Sequence, residues 1–298
     1  MKPSDLSRQL ASATPPVLLH VLPEEVFNAC RIPGSHNACV YETAFLGHVA
    51  SITSDSQAAI VVYGAGGASL DAQVAVEKLR AAGYAGVDML EDGLEGWQAA
   101  GFATEGNQCM PAPPVLDGIY RIDTAASVIR WTGRNLFNQH YGTIRLSSGE
   151  ISIRKGQMES ARFAVDMNSI ACADLTDSQW NAMLIQHLKT ADFFQTDRFP
   201  VAEFVAGSVE PVSATVGTPT HLLKGRFTLR GVTRQLEFPV VIASADGKRL
   251  TGQGQFEIDR TDYGSVYGSG KFFRHLGKHV VNDLVHLDVI IHADAVDG

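Results

Sequence analysis

The sequence predicts two domains of different class, an α/β domain with a parallel sheet followed by an all-β domain. The chain has 298 residues, and at about 150 residues per domain this length suits two. Strand-like and helix-like segments alternate before residue 105, whereas apolar residues recur at every second position after residue 120. The stretch between them carries Pro111, Pro113 and Pro114, which favour an extended chain. We therefore expect domains at residues 1–110 and 119–296, joined by a proline-rich linker at 111–118.

Three strand–helix pairs predict the first domain. Each short apolar segment precedes a segment with helical periodicity; the pairs are PVLLHVL with PEEVFNAC, AAIVVYG with SLDAQVAVEKLRAAGY, and GVDMLED with GLEGWQAAG. Such alternation is typical of a parallel sheet. The continuous β-branched run AIVVY suits a strand covered on both faces, and Gly83 supplies a stop for the longest helix.

Alternating strands predict the second domain. The segments FTLRG, LEFPVVI, GQFEID and VHLDVII place apolar residues at every second position, which favours a sandwich or a barrel. One helix is expected within DLTDSQWNAMLIQHLKTADFF, where Asp177 can cap the first turn and Trp180, Leu184 and Leu188 form a stripe. A helix inserted between strands would close one end of a barrel.

Composition and charge restrict the classes of function. Hydrophobic residues make up 45% of the chain and charged residues 19%, which excludes a disordered polypeptide. No apolar run approaches about 18 residues, and Asp5 and Arg8 stand where a signal peptide would begin its apolar region. We therefore expect a cytoplasmic protein without a membrane span. Four scattered cysteines and the absence of a CxxC pair favour free thiols.

The net charge of −8 argues against a nucleic acid partner, which clustered Lys and Arg would bind. The first 112 residues hold 12 acidic and 5 basic residues, a net charge of −7. An acidic first domain could dock a basic protein partner.

The segments LLHVLPEEVFNACRIPGSHN, IVVYGAGGAS, AAGY and LEDGLEGW together resemble the rhodanese-like family over residues 10 to 105. The resemblance implies a catalytic Cys after the central strand, but Gly64 occupies that position. It begins the loop Gly64, Ala65, Gly66, Gly67, Ala68 and Ser69. Glycine has no nucleophile, so we expect an inactive domain with a docking or regulatory role.

Two alternatives concern this first domain. Cys30 and Cys39 flank the IPGS turn, and either could replace the missing nucleophile in a sulfurtransferase or another thiol-dependent enzyme. The Gly-rich loop could also hold a small anion on its amides, or simply use glycine for backbone turns with positive φ.

In the second domain, the segments YRID, NQHYGTI, TADFF followed by FP and AEF, KGRFTLRGVTRQLEFPV and GQFEIDRTDYG resemble the YceI-like family from Tyr120 to Asp294. The resemblance implies a lipocalin-like up-and-down barrel of about eight strands around an elongated apolar ligand, an isoprenoid chain or another amphiphile. Eight strands leave room for one small ligand where inward side chains do not fill the interior. A barrel filled by its own side chains would leave the protein an interaction module.

The resemblance and the alternation together select candidate ligand-binding residues. His140, His187, Tyr263 and Tyr267 are candidates for recognition of a polar head group. The full set is Trp131, His140, Phe163, Val165, Met167, Trp180, Met183, Leu184, His187, Phe227, Leu229, Phe238, Phe256, Ile258, Tyr263 and Tyr267.

The remaining polar motifs favour no catalytic set. His275 and His279 share helical spacing, but Gly277 lies between them and no HExxH motif is present, so we expect neither a metal nor another cofactor. Arg260 and Asp262 are interpreted as a turn with a surface pair. The sequence therefore predicts a binding protein rather than an enzyme.

Overall fold

The computed structural model describes residues 1–107, 115–212, 215 and 217–296. The chain forms two compact units, one within residues 1–112 and the other within residues 113–298, and each is described by itself. Of the linker expected at 111–118, residues 111–114 lie outside the described residues, and Gly118 already begins a strand.

The first unit is a parallel sheet with helices. Its strands are β1 (Val17–His20), β2 (His36–Asn37), β3 (Ile60–Tyr63) and β4 (Val87–Met89). Its helices are α1 (Pro3–Leu10), α2 (Glu24–Ala29), α3 (Phe45–Ile52), α4 (Asp71–Ala81) and α5 (Gly93–Ala99). The strands lie in the order β2-β1-β3-β4 and all pair in parallel. The predicted α/β fold is confirmed.

Both faces of this sheet are buried. Successive side chains of a strand point to opposite faces, so Leu19 and Val62 pack into one apolar core while Leu18 and Val61 pack into another. All four residues of β3 are buried, as the continuous apolar run predicts for a central strand.

The second unit is almost entirely β. Its strands are β5 (Gly118–Ile122), β6 (Val128–Arg134), β7 (Gln139–Arg154), β8 (Gln157–Cys172), β9 (Val201–Pro211), β10 (His221–Leu229), β11 (Val232–Ala243), β12 (Arg249–Asp259) and β13 (Leu284–Ala295). One helix, α6 (Ser178–Lys189), connects β8 to β9. Two 3₁₀ turns, Arg260–Tyr263 and Gly277–His279, lie between β12 and β13.

Eight of the described strands close into an antiparallel barrel. Each strand from β6 to β13 pairs with the next, and β13 pairs back with β6. The short β5 pairs with β7 and β13 and extends the wall beyond the start of β6. The barrel is confirmed, and the sandwich that the same alternation allowed is not formed.

The connections divide between the two ends of the barrel because the strands are antiparallel. One end, called the helix end, carries the β6–β7 turn (135–138), the segment with α6 (173–200), the β10–β11 turn (230–231) and the β12–β13 connection (260–283). The opposite end carries the β7–β8 and β11–β12 turns.

Helix α6 is fixed by its own polar groups at the helix end. The Asp177 carboxylate accepts hydrogen bonds from the amides of Gln179 and Trp180, which confirms the expected cap. The Asn181 side chain donates to the carbonyls of Cys172 and Leu175.

Among the described residues, none of the helices combines the length and apolar character needed to cross a lipid bilayer.

Candidate functional site

The barrel encloses a cavity of about 430 Å³. Side chains from each of the eight closing strands line it, and the alternation is clearest on β13. Val285, Leu287, Val289 and Ile291 line the cavity, whereas His286 between them does not. The barrel interior is therefore hollow and apolar, with a volume in the range of small-molecule sites.

Thirteen of the sixteen candidate residues line this cavity, from the wall, the helix and the helix end. They are Trp131, His140, Phe163, Val165, Met167, Leu184, His187, Phe227, Leu229, Phe238, Phe256, Ile258 and Tyr267. Their contact with a ligand stays a prediction.

Three candidates lie elsewhere. Trp180 and Met183 are 62% and 51% exposed and do not line the cavity, whereas Leu184, His187 and Leu188 further along α6 do. Tyr263 is buried but packs edge-on against Phe227 with the ring centroids 5.5 Å apart. It packs in the same apolar core as the cavity-lining residues but does not line the cavity itself.

Sequence alternation missed much of the wall contributed by β7. Leu146 and Ile151 both line the cavity, although an odd separation would put them on opposite faces of a regular strand. The pairing of β7 with β8 shifts register between Leu146 and Ser148, and a β-bulge of this kind reverses the alternation. This register shift brings both side chains inward, and no feature of the sequence predicts it.

Aromatic rings form a continuous band on one side of the cavity. The Phe204 and Phe238 centroids are 5.3 Å apart, and Phe238 stacks on Phe256 at 4.1 Å. Gly252 and Gly254 of β12 line the cavity without side chains. The band and the glycines together leave a space that is wide and apolar.

Polar side chains line the cavity at the helix end. His140 Nδ1 lies 2.8 Å from the Asp174 carboxylate. Burial raises the pKa of Asp174, but hydrogen bonds from the Tyr141 amide, His140 and Cys172 outweigh burial and lower it. His187 Nε2 lies 3.0 Å from Asp192. Both imidazoles are thus oriented by carboxylates next to an apolar interior.

Arg260 is buried beside the cavity, where the sequence predicted a surface pair. Its side chain is 1% exposed and donates to the carbonyls of Asn282, Ser265 and Val281. Its ion-pair partner is Asp283 at 3.6 Å rather than Asp262. Burial lowers the pKa of Arg260, with the Asp283 carboxylate acting in the opposite direction. The surface interpretation is wrong because the chain after β12 folds back over this side chain and satisfies its donors.

The described part of the chain contains no cluster of three or more His, Cys, Asp or Glu side chains that could hold a metal ion. His275 has a positive φ of 58°, so the continuous helix that would bring it next to His279 is not formed.

In the first unit, the Asp71 carboxylate lies at the loop where the rhodanese-like resemblance implies a catalytic Cys. The Asp71 side chain is buried and accepts hydrogen bonds from the Ala65 amide at 3.2 Å and the Ser69 hydroxyl at 2.7 Å. A Cβ added to Gly64 would overlap this carboxylate. Gly66 and Gly67 have positive φ, which is the turn role of glycine. The Ala65 amide and the Ser69 hydroxyl are therefore already bonded to a carboxylate and are not free to bind an anion.

The two substitute thiols lie away from any helix N-terminus. Cys30 follows the C-terminal end of α2, where the helix dipole is negative, and accepts a hydrogen bond from the Gln98 amide at 3.3 Å. Cys39 is buried. Neither thiol therefore has beside it the backbone amides of a helix N-terminus, which the rhodanese-like resemblance implies for the nucleophile.

The carboxyl edge of the same sheet buries a histidine. His20 is fully buried between Phe27 and Tyr63, whose rings meet it edge-on, and neither ring nitrogen has a hydrogen-bond partner. Burial lowers the pKa of His20 to about 4. Burial also raises the pKa of Tyr63, whose hydroxyl accepts from the Ile32 amide at 3.0 Å.

Comparison with known families places both units. The model of the YceI-like domain matches residues 120–293, which is more than half of the chain. The chain belongs to the YceI-like family. The model of the rhodanese-like domain matches residues 2–100, which precede the YceI-like barrel in the sequence. Both resemblances drawn from the sequence are therefore confirmed.

Individual relatives of the YceI-like barrel are distant. A UPF0312 protein of Pseudomonas putida is 26% identical over 148 residues, covering 48% of this chain and 71% of the relative. Among solved structures, Burkholderia cenocepacia BcnA is 21% identical with a TM-score of 0.46, covering 57% of this chain and 98% of its own. A polyisoprenoid binding domain from Saccharophagus degradans is 17% identical with a TM-score of 0.42, covering 59% and 98%.

Proposed function

We propose that the protein binds one elongated apolar or amphiphilic molecule, such as an isoprenoid chain or a lipid, inside the YceI-like barrel and sequesters or carries it. The observation that supports this proposal is the cavity of about 430 Å³ with apolar walls. The thirteen candidate residues that line it are the proposed contacts. His140, His187 and Tyr267 would meet the polar end of an amphiphile, since they lie at the helix end.

Burial of the ligand tail supplies the affinity. Each buried methylene contributes about 0.8 kcal/mol, so a tail of about a dozen carbons gains roughly 10 kcal/mol before the costs of ordering are subtracted. This is enough for tight binding without any strong polar contact. A ligand held in this way needs no catalytic group.

For the rhodanese-like unit we propose a docking or regulatory role rather than sulfur transfer. Gly64 supplies no nucleophile, and Asp71 fills the space that a side chain at this position would need. The acidic character of this unit suits a basic protein partner. A cytoplasmic location is also proposed, and the free thiols of Cys30, Cys39 and Cys172 suit a reducing compartment.

The test compares two identical substitutions on one strand of the barrel. Ala161 of β8 lines the cavity, whereas Ala164 on the same strand does not. In Ala161→Phe the ring displaces about six ligand carbons, and at about 0.8 kcal/mol each the affinity falls by far more than tenfold. Ala164→Phe should keep the wild-type affinity.

Ligand is measured in two ways. Organic extraction of purified protein followed by mass spectrometry detects a co-purified molecule, and titration with a dansylated long-chain fatty acid measures binding to extracted protein. The proposal fails if the wild type yields no ligand and binds no probe, or if both variants bind as the wild type does.

A further inference from the structure

The helix end of the barrel exposes apolar side chains on two separate connections. The β6–β7 turn exposes Leu136 and Phe137 by 61% and 77%, and the β12–β13 connection exposes Phe272 and Phe273 by 57% and 46%. These four side chains are called the rim patch. Large apolar side chains at this exposure, all at one end, are typical of an interaction surface.

The two connections are joined next to the rim patch. Asn135 forms a β-bridge with Val281, and the Asn282 amide donates to the Arg134 carbonyl at 2.9 Å. The rim patch is therefore anchored on the barrel wall, because both connections share this pairing.

The charge of the β12–β13 connection is opposite to that of the whole chain. Residues 264–282 contain no acidic residue; the basic ones are Lys271, Arg274, His275, Lys278 and His279. All five are exposed, in a chain of net charge −8. A positive segment with two exposed phenylalanines thus stands on an acidic protein.

Three cations of the helix end are free to meet a partner. Among the described residues, Arg134, Arg274 and Lys278 form no ion pair, whereas Lys271 is paired with Asp259 and Asp283. Most carboxylates nearby are already engaged; the pairs are Asp174 with His140, Asp192 with His187, and Asp283 with Arg260 and Lys271.

The same residues border the cavity. Arg134, Lys278 and His279 are exposed and also belong to its lining. A surface that the rim patch contacts would therefore face the mouth of the cavity.

We propose that the rim patch, with Arg134, Arg274 and Lys278, docks the barrel reversibly on the surface of an anionic lipid bilayer, with the mouth of the cavity facing the lipid. Apolar side chains on turns, flanked by cations, match the interfacial layer of a bilayer, where aromatic rings lie at the level of the head groups. The cations are attracted to anionic head groups, while the rest of the acidic chain is repelled. This opposition fixes the orientation.

Vesicle sedimentation with the full chain tests this proposal. The vesicles contain phosphatidylcholine alone or an equal mixture with phosphatidylglycerol, at low and at physiological salt. We expect binding to the anionic vesicles only, weakening as salt rises because the exposed charges are screened. Binding should fall at least about fivefold for each basic residue lost.

Two double variants test the two parts of the surface, and a third double variant serves as a control. Phe272→Ser with Phe273→Ser removes apolar contact, and Arg274→Glu with Lys278→Glu reverses two charges; each pair should abolish most of the binding. Lys155→Glu with Lys248→Glu makes the same change of charge in turns at the opposite end and should leave binding unchanged. Circular dichroism establishes that each variant is folded.

Several results would overturn the proposal. Equal binding to neutral vesicles would remove the role of the cations, and equal loss in the control would remove the role of this end. Absence of vesicle binding would refute docking on lipid, including the case in which the surface instead retains an acidic protein. Docking on lipid is independent of the proposed ligand binding, and ligand content is measured separately on the same variants.

Discussion

Acid should destabilise the rhodanese-like unit through His20. The imidazole is fully buried with both nitrogens unpartnered, and burial lowers its pKa from 6.5 to about 4. The unfolded chain therefore binds a proton near pH 6.5 that the folded unit does not accept until about pH 4. The free energy of unfolding is unaffected well above about pH 6.5 and decreases as the pH falls from about 6.5 to about 4.

The size of the effect follows from the shift in pKa. Each pKa unit corresponds to about 1.4 kcal/mol, so the loss reaches about 2 kcal/mol between about pH 7 and pH 5 and about 3 kcal/mol at about pH 4. Such a loss is a large fraction of the stability of a domain, which is about 5 to 15 kcal/mol.

Urea unfolding followed by tryptophan fluorescence measures this loss. The chain has three tryptophans, and Trp97 is the one in the rhodanese-like unit. A background with Trp131→Phe and Trp180→Phe makes its signal specific. In that background we expect His20→Phe to remove most of the acid dependence. The control His36→Gln replaces an exposed histidine of the same unit. It should leave the acid dependence of the unfolding free energy unchanged because His20 remains.

The outcome that would refute the reasoning is a matching acid dependence in the His20→Phe protein and its parent. A parent whose unfolding free energy stays constant down to about pH 5 would refute it equally.

Two further predictions concern the loop around Gly64 and the buried Arg260. Gly64→Cys should produce no cyanide-dependent transfer of sulfur from thiosulfate, and it should lower the free energy of unfolding in urea by about 1–3 kcal/mol because the new side chain overlaps Asp71. Asp71→Ala should lower this free energy less in the Gly64→Cys background than alone. Sulfur transfer by Gly64→Cys would contradict the proposed role of this loop. Arg260→Met should destabilise the barrel by about 2–4 kcal/mol in thermal or urea unfolding, since it removes the donor from the carbonyls of Asn282, Ser265 and Val281 and leaves Asp283 paired with Lys271 alone. A change below about 1 kcal/mol would show that these contacts add little.

The sequence contained enough information for both fold classes, but not for the closure of the barrel. Alternating residues on β10 to β13 indicate strands with one apolar face, and a sandwich and a barrel present the same pattern. Closure depends on the pairing of β6 with β13, between residues far apart in the chain, and the family resemblance supplied it. Short elements such as β2 (His36–Asn37) contain too few residues to show any period.

The site was predictable where the strands are regular and unpredictable where they are not. Phe238, Phe256 and Ile258 follow simple alternation and line the cavity. Leu146 and Ile151 do so only because a register shift separates them. The buried state of Arg260 depends on three carbonyls from a distant connection, and local sequence says nothing of their position.

The cost of the cavity itself favours an occupied barrel. Closed apolar cavities in protein cores cost about 24 cal/mol per Å³, so an empty space of about 430 Å³ with one open mouth costs at most about 10 kcal/mol. That is comparable to the whole stability of a typical domain, about 5 to 15 kcal/mol. Water relieves little of this cost, because apolar walls offer it few hydrogen bonds. A ligand tail restores the lost contacts, so the free energy that the empty cavity costs the fold is recovered when an apolar molecule binds in it.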